Sequence, residues 1–558
     1  MPLKAVAAVG LLLFSSVAWA ADCKIATVGS PFSTCWDIAN AAGINVDTLQ
    51  TYNPNLNCNI LTPGQKLCVS TGTFPVPKPN PDGTCATHTV VAGDTCLAIA
   101  NVYGITTANI ETWSKPIWRF QGCSLLQIGA KVCISTGLPP PIPVNPSAQC
   151  GPETPGNKTC PLNVCCSAWG FCGQTSEFCE AAGGFPCNSN CGTPTLARCS
   201  GSQQMRKIGY FAGWAARRPE NCGRVTPADL DLTGYTGVIF AFATIDNHYN
   251  VTLDSRDASV LEDLVALKDR WRPLQVTIAV GGWAFSMDDP TKTVFTQMIS
   301  TSASRTTFIN SVKDFMSTYR LDGVDIDLEY PAASERAAPA EDTPNLTALM
   351  RELRAALGSQ VVSIATPAAY WFLRGFEIDK IASSATYVNV MTYDYHGPWD
   401  LKLQGEDGTA KAHTSVEDIM DTIRLYTRAE VPFSKLNLGL AWYGRTYAVG
   451  NCKGTGCVMT GGGKPGMCTG ESGIKSQEEI NKEVADNKIT RNYDTTTRTY
   501  WYNYNGDFIT YDDTDSWAHK TQVAKDHCFN GTFVWSLDQG NTSTSALASS
   551  LSLPVKMG

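Results

Sequence analysis

The sequence predicts a multidomain chain whose C-terminal part is an α/β (β/α)8 barrel with an α+β insertion. Two small βααβ modules and one disulfide-rich module precede it. Three observations predict this architecture. Eight short apolar, β-rich runs alternate with helical stretches from about residue 206 onward. Two stretches near the start repeat each other, each with four cysteines. Eight further cysteines crowd into residues 150–191.

The chain has 558 residues, with 17% charged and 43% hydrophobic, a globular composition. Its net charge is −8 and it has no basic stripe, so nucleic acid is not an expected partner. Lys4, the apolar run Ala5–Val17 and the small-x-small Ala18, Trp19, Ala20 form a secretory signal over residues 1–20. No later stretch is apolar enough to span a membrane, so none is expected as a partner. The 22 cysteines agree with an oxidising compartment, and the protein is expected to be secreted, extracellular or wall-associated, and monomeric. Sequons stand at Asn157, Asn250, Asn345, Asn530 and Asn541, acceptors only in a eukaryotic route.

The repeat covers residues 22–72 and 85–136. Ser33–Ala39 (STCWDIA) matches Gly93–Ala100 (GDTCLAIA), and Leu61–Cys68 (LTPGQKLC) matches Leu126–Cys133 (LQIGAKVC). Each copy reads as strand, helix, helix, strand, with Thr34 and Thr95 before the first helix as N-caps. His88–Thr95 (HTVVAGDT) and the closing PGQKL resemble the LysM module. The resemblance implies binding of N-acetylglucosamine polymers in a shallow groove between two loops. The second copy fits better, because Gly29–Ser33 (GSPFS) replaces the usual GDT in the first. The Pro-rich stretches 73–84 and 137–147 read as extended linkers.

The third module, residues 148–200, is too small to bury much apolar surface, so disulfides must replace a core. Trp169, Phe171 and Phe178 are more rings than it can enclose and read as a binding face for sugar rings. Eight cysteines alone leave many pairings open. Cys165–Gly173 (CCSAWGFCG) with Glu177, Phe178 and Cys179 resembles the hevein-type chitin-binding domain. That resemblance implies the pairs Cys150–Cys166, Cys160–Cys172, Cys165–Cys179 and Cys187–Cys191, and a bond from Ser167 to the acetamido group.

The barrel, residues 203–555, has its eight runs at Lys207–Trp214, Gly237–Thr244, Gln275–Trp283, Leu321–Tyr330, Val361–Pro367, Tyr387–Asp394, Lys435–Tyr443 and Gly531–Leu537. Barrel chemistry sits at the C-terminal ends of strands. Those ends carry Trp214, Trp283, Glu329, Tyr393, Asp394 and Trp535.

The fourth run decides the chemistry. Asp325, Asp327 and Glu329 recur at every second position, on one face, about 7 Å apart. Val324, Ile326 and Leu328 occupy the other face, which suits packing on helices. The three carboxylates therefore point into the barrel, where close like charges raise their pKa values. Glu329, nearest the mouth, is expected to hold a proton and act as the acid.

Asp322–Glu329 (DGVDIDLE) matches the D-G-x-D-x-D-x-E signature, and the barrel resembles glycoside hydrolase family 18, the chitinases. Met391–Asp394 (MTYD) matches the family's M-x-Y-D. Ala279 stands where the family's third strand has a serine. The resemblance implies substrate-assisted, anomer-retaining hydrolysis of β-1,4 bonds in chitin. Glu329 would be acid and base, Asp327 would turn between Asp325 and the acetamido group, and Tyr393 and Asp394 would position the sugar. Tyr210, Trp283, Tyr330, Met391 and Trp535 would bind substrate. No metal or cofactor is called for, and the six histidines are scattered. The insertion, about 446–515, resembles a subdomain that walls a deep cleft in one branch. The combination of modules resembles fungal chitinases related to killer-toxin subunits. Chitin and N-acetylglucosamine oligomers are the expected partners. The alternatives are a chitin-binding lectin with a dead barrel, and an immune-masking or toxin-delivery protein with incidental catalysis.

Overall fold

The structure, a computed structural model, describes residues 21–540 apart from 30–33, 55, 183, 200–204 and 404–406. The expected signal at 1–20, most of the GSPFS segment and the sequon at Asn541 lie outside the described residues. The chain forms two compact units, 1–146 and 147–558.

In the first unit each module pairs its end strands antiparallel, Ile25–Thr27 with Lys66–Cys68 and Thr87–Thr89 with Lys131–Cys133. Two short helices lie between them in each case. Thr34 and Thr95 accept the backbone N–H of Asp37 and Ala98, satisfying donors that a helix start leaves open. The cores are small: Ile38, Leu49 and Leu67 in one, Ile99, Ile110 and Val132 in the other. Two disulfides staple each, Cys23–Cys68 with Cys35–Cys58, and Cys85–Cys133 with Cys96–Cys123. The first Pro-rich stretch lacks helix and strand, but it is not a detached spacer. The Phe74 ring lies on Gly104 of the second module, where any Cβ would overlap it.

The second unit is dominated by the barrel. Its strands are β1 (Arg206–Ala212), β2 (Gly237–Ile245), β3 (Gln275–Gly281), β4 (Gly323–Asp327), β5 (Val361–Pro367), β6 (Tyr387–Met391), β7 (Leu436–Ala441) and β8 (Gly531–Trp535). All neighbours are parallel, and β8 pairs with β1 to close the ring. Alternation along the strands makes two apolar layers. Inside the ring lie Ile208, Tyr210, Ile239, Ala279, Val361, Tyr387 and Phe533. Outside, Val324, Ile326 and Leu328 join Val238, Ile278, Leu349, Leu353 and Ile423 beneath the helices.

Between β7 and β8 a five-stranded antiparallel sheet (443–448, 474–476, 492–494, 499–504 and 507–511) carries the helix Gln477–Asp486. It begins at Tyr443, earlier than the sequence suggests, because the chain leaves β7 at Ala441 and Tyr443 pairs at once with Ser476. Cys222–Cys468 ties this insertion to the loop after β1, and Cys452–Cys457 closes a small loop within it. In the third module the disulfides are Cys150–Cys166, Cys160–Cys172, Cys165–Cys179 and Cys187–Cys191, the pairs that the resemblance implies. Cys199–Cys528 joins the following segment to the barrel. No cysteine among the described residues is free.

Candidate active site

The fourth strand sets the site. Regular pairing of β4 ends at Asp327, so Glu329 stands just past the strand, at the C-terminal mouth. Exposure rises in order along the row: 0% at Asp325, 5% at Asp327 and 8% at Glu329. The shaft is closed to solvent at its base and opens at its tip.

Asp325 is held from both sides. Tyr210 Oη on β1 donates to Oδ2 at 2.7 Å, and Ser363 Oγ on β5 donates to Oδ1 at 2.6 Å. Tyr210 in turn accepts from Asn389 Nδ2 (2.9 Å), whose Oδ1 accepts from Asn437 (2.8 Å). Burial pushes Asp325 up to about 6, with those two bonds acting against the rise. Asp327 is raised well above the carboxylate range, first by burial and then by the charges of Glu329 and Asp325. Burial also lifts Glu329 to about 7, a bond from Tyr330 opposes it, and the charge of Asp394 adds to the rise. One element thus presents three carboxyls that burial raises above the ordinary carboxylate range.

The chain around Glu329 is fixed by buried partners. Its N–H donates to Ser286 Oγ at 3.1 Å. Arg336 donates to the carbonyls of Ser286 (3.2 Å) and Tyr330 (3.2 Å), and pairs with Asp342 at 3.1 Å. Gly281 approaches the Asp327 carbonyl so closely, at φ 119°, that a Cβ would lie 2.2 Å from it.

Tyr393 and Asp394 follow the end of β6. Burial and then the charges of Asp327 and Glu329 keep the Tyr393 phenol protonated. Asp394 is held by Arg445 of the insertion, Nε to Oδ1 at 2.8 Å and Nη2 to Oδ2 at 2.6 Å, with His413 Nδ1 3.3 Å away. Burial would raise Asp394, but Arg445 and His413 outweigh it and hold the carboxyl well below its ordinary range.

An aromatic shelf runs beside the acids. Trp535 stacks on Phe242 (centroids 5.6 Å apart), and Phe242 stacks on Trp214 (6.1 Å). Tyr210 meets Trp535 edge-on, so its ring is at the shelf while its hydroxyl is directed to Asp325. Tyr330 stacks on Phe372, and Met391 is half-buried beneath the mouth. Trp283 is exposed just beyond β3, and Trp371 and Trp399, which follow β5 and β6, are exposed as well. Trp371 and Trp399 escaped the sequence reading, although both stand a few residues past strand ends. Ser363, Asn389 and Arg445 also escaped it, for want of any local signal. In the third module, Trp169 and Phe171 are exposed. Ser167 is buried, its Oγ accepting their N–H groups at 3.3 and 3.1 Å, and Phe178 packs half-buried on Gly173 and the disulfides.

Residues 206–540 match the model of glycosyl hydrolases family 18. The chain belongs to that family. Residues 149–191 match the chitin recognition protein model, and 33–70 and 88–135 match the LysM domain. The chain is 33% identical over 512 residues to the probable chitinase LysM18 of Penicillium expansum, covering 84% of this chain and 35% of that protein. It is 33% identical over 523 residues to the killer toxin subunits alpha/beta of Kluyveromyces lactis, covering 89% and 44%. It therefore spans less than half the length of these curated relatives. Its barrel fold is that of catalytic domain 2 of the Ostrinia furnacalis Group II chitinase, with TM-score 0.57, 23% identity, and coverage of 62% of this chain and 96% of that one. Among the described residues no helix is long and apolar enough to cross a membrane.

Proposed function

We propose that this family 18 protein is an exported chitinase that hydrolyses β-1,4 bonds between N-acetylglucosamine units with the substrate's own acetamide as nucleophile. The observation that carries the reading is Glu329: a carboxyl at the mouth of a solvent-shielded acid row, raised by burial to about 7, so that a large share of it is protonated near neutral pH. A lectin with a dead barrel has no need of such a group.

The steps follow from the residues. Glu329 gives its proton to the glycosidic oxygen as the bond to the anomeric carbon breaks. The acetamido carbonyl oxygen forms a new bond to that carbon, giving a cyclic oxazolinium ion. Asp327, whose Oδ1 is buried without a partner among the described residues, accepts the acetamido N–H; one proton shared between Asp327 and Asp325 leaves that pair a single negative charge, which offsets the positive charge. Tyr393 donates to the acetamido oxygen region, and Asp394, locked by Arg445, positions the sugar. Trp535 is the floor beneath it. Glu329, now a carboxylate, takes a proton from water, whose oxygen opens the ring from the same side as the departed chain. The β-anomer and the acetamide are restored. The alternative mechanism with a second protein carboxylate as nucleophile is not needed.

LysM modules 22–72 and 85–136 and the hevein-type module bring the enzyme to insoluble chitin. The paired cysteines suit an oxidising, extracellular site. A product time course from chitin hexamer, resolved by anomer, tests the mechanism. The β-anomer is expected first, and initial release of the α-anomer would overturn it.

A further inference from the structure

The hevein-type module is docked on the barrel, and its place bears on what it does. Arg428, the last residue of the helix Val416–Arg428, donates to the carbonyls of Asn190 (2.8 Å), Asn163 (3.4 Å) and Gly192. Asn163 Nδ2 returns a bond to the Arg428 carbonyl at 3.0 Å. Beneath these contacts Cys150, Cys160, Val164 and Cys166 continue the outer apolar layer of the barrel. The chain then meets the end of the helix Thr514–Asp526, where Cys199 N–H donates to Asp526 O at 3.0 Å and Cys199–Cys528 closes. The module is bolted at two points.

Both helices end shortly before a barrel strand begins, β7 at Leu436 and β8 at Gly531. Helices of this fold run back against the strands, so the module sits at the end where strands start. Glu329, Tyr393 and Trp535 sit where strands finish. The five residues of β4 alone separate the two ends by about 16 Å. The exposed rings of the module, Trp169 and Phe171, are carried by a loop that the buried Ser167 fixes from within. A straight chain lying in the cleft does not pass over them, and the Arg428 bonds and the disulfide leave no free linker to swing them there.

We propose that the module binds a β-1,4-linked N-acetylglucosamine chain other than the one in the cleft, so that one molecule joins two chitin surfaces. This rests on the chitinase reading above. The module does not feed substrate to the acid row. It holds one fibre while the cleft engages another.

The test uses the compact unit 147–558, which lacks the LysM grips, and suspended chitin whiskers, with clustering followed by turbidity and sedimentation. The Glu329→Gln protein should cluster whiskers. Adding Trp169→Ala with Phe171→Ala should raise the protein needed about tenfold, as loss of stacked aromatic anchors does. Trp535→Ala in the same background should do likewise, since it removes the other grip. In the active protein, Trp169→Ala with Phe171→Ala should leave kcat/KM on soluble chitin hexamer unchanged. Clustering indifferent to either pair of grips would overturn the proposal. So would a parallel fall in hexamer kcat/KM, which would mean that the module serves the cleft. A protein that clusters whiskers through both grips yet never cleaves hexamer would sink the hydrolase reading and leave the bridging intact.

Discussion

Ser363 donates a 2.6 Å hydrogen bond to Oδ1 of Asp325 from β5, while Ala279 faces the same aspartate from β3. The hydroxyl that the third strand lacks is supplied from the opposite flank. Ser363→Ala removes one of two bonds that hold Asp325 down, and a hydrogen bond to a charged group contributes about 1.5–3 kcal/mol. We expect kcat on chitin hexamer to fall about tenfold or more, with Asp325 driven further upward. A pH–rate profile identical to that of the parent would contradict this role for Ser363.

In the proposed mechanism Glu329 must be protonated to act, and burial sets it at about 7. Activity is therefore expected to decline as pH rises through about 7. Steady-state kcat/KM on soluble oligomer between pH 5 and pH 9 checks this, and a plateau to pH 9 would be inconsistent with Glu329 as the acid.

The same shift couples to stability. The folded value of Glu329 lies above the ordinary glutamate value of 4.5, so its contribution is full below about 4.5 and is lost as pH rises through about 7. At 1.36 kcal/mol per unit that is on the order of 3 kcal/mol. Glu329→Gln removes this dependence. The Tm of the variant should gain on the parent as pH goes from 5 to 8, and a constant difference would refute the buried, proton-holding carboxyl.

Arg445 reaches from the insertion to grip Asp394 with two bonds. Arg445→Met leaves the half-buried Asp394 carboxylate with His413 alone, a loss of about 1–3 kcal/mol. Hexamer turnover should fall about a hundredfold and Tm should drop with it. Wild-type turnover would show that the insertion merely walls the cleft.

The unit 147–558 is compact without the LysM pair. A chain that begins at residue 147 should keep its activity on soluble hexamer and lose most of its activity on insoluble chitin. Equal losses on both substrates would argue against a targeting role for the LysM modules.

The contrast between what was legible in the sequence and what was not has a physical basis. The barrel strands and the acid row were legible because alternation is a local property: Asp325, Asp327 and Glu329 face inward for the same reason that Val324 and Ile326 face the helices. Ser363, Asn389 and Arg445 were not legible, because each acts across strands or from the insertion, and only the closed ring brings them to the carboxylates. The seat of Phe74 on Gly104 and the grip of Arg428 on the third module are equally long-range. Composition reads residues 73–84 as a linker, and packing makes Phe74 a contact.

The most direct test of the central claim is hydrolysis of chitin hexamer by Glu329→Gln, measured beside its binding. Turnover is expected to disappear while the oligomer still binds, since Gln keeps the shape of the side chain and cannot act as the acid. Undiminished turnover in this variant would contradict the assignment of Glu329 as the acid.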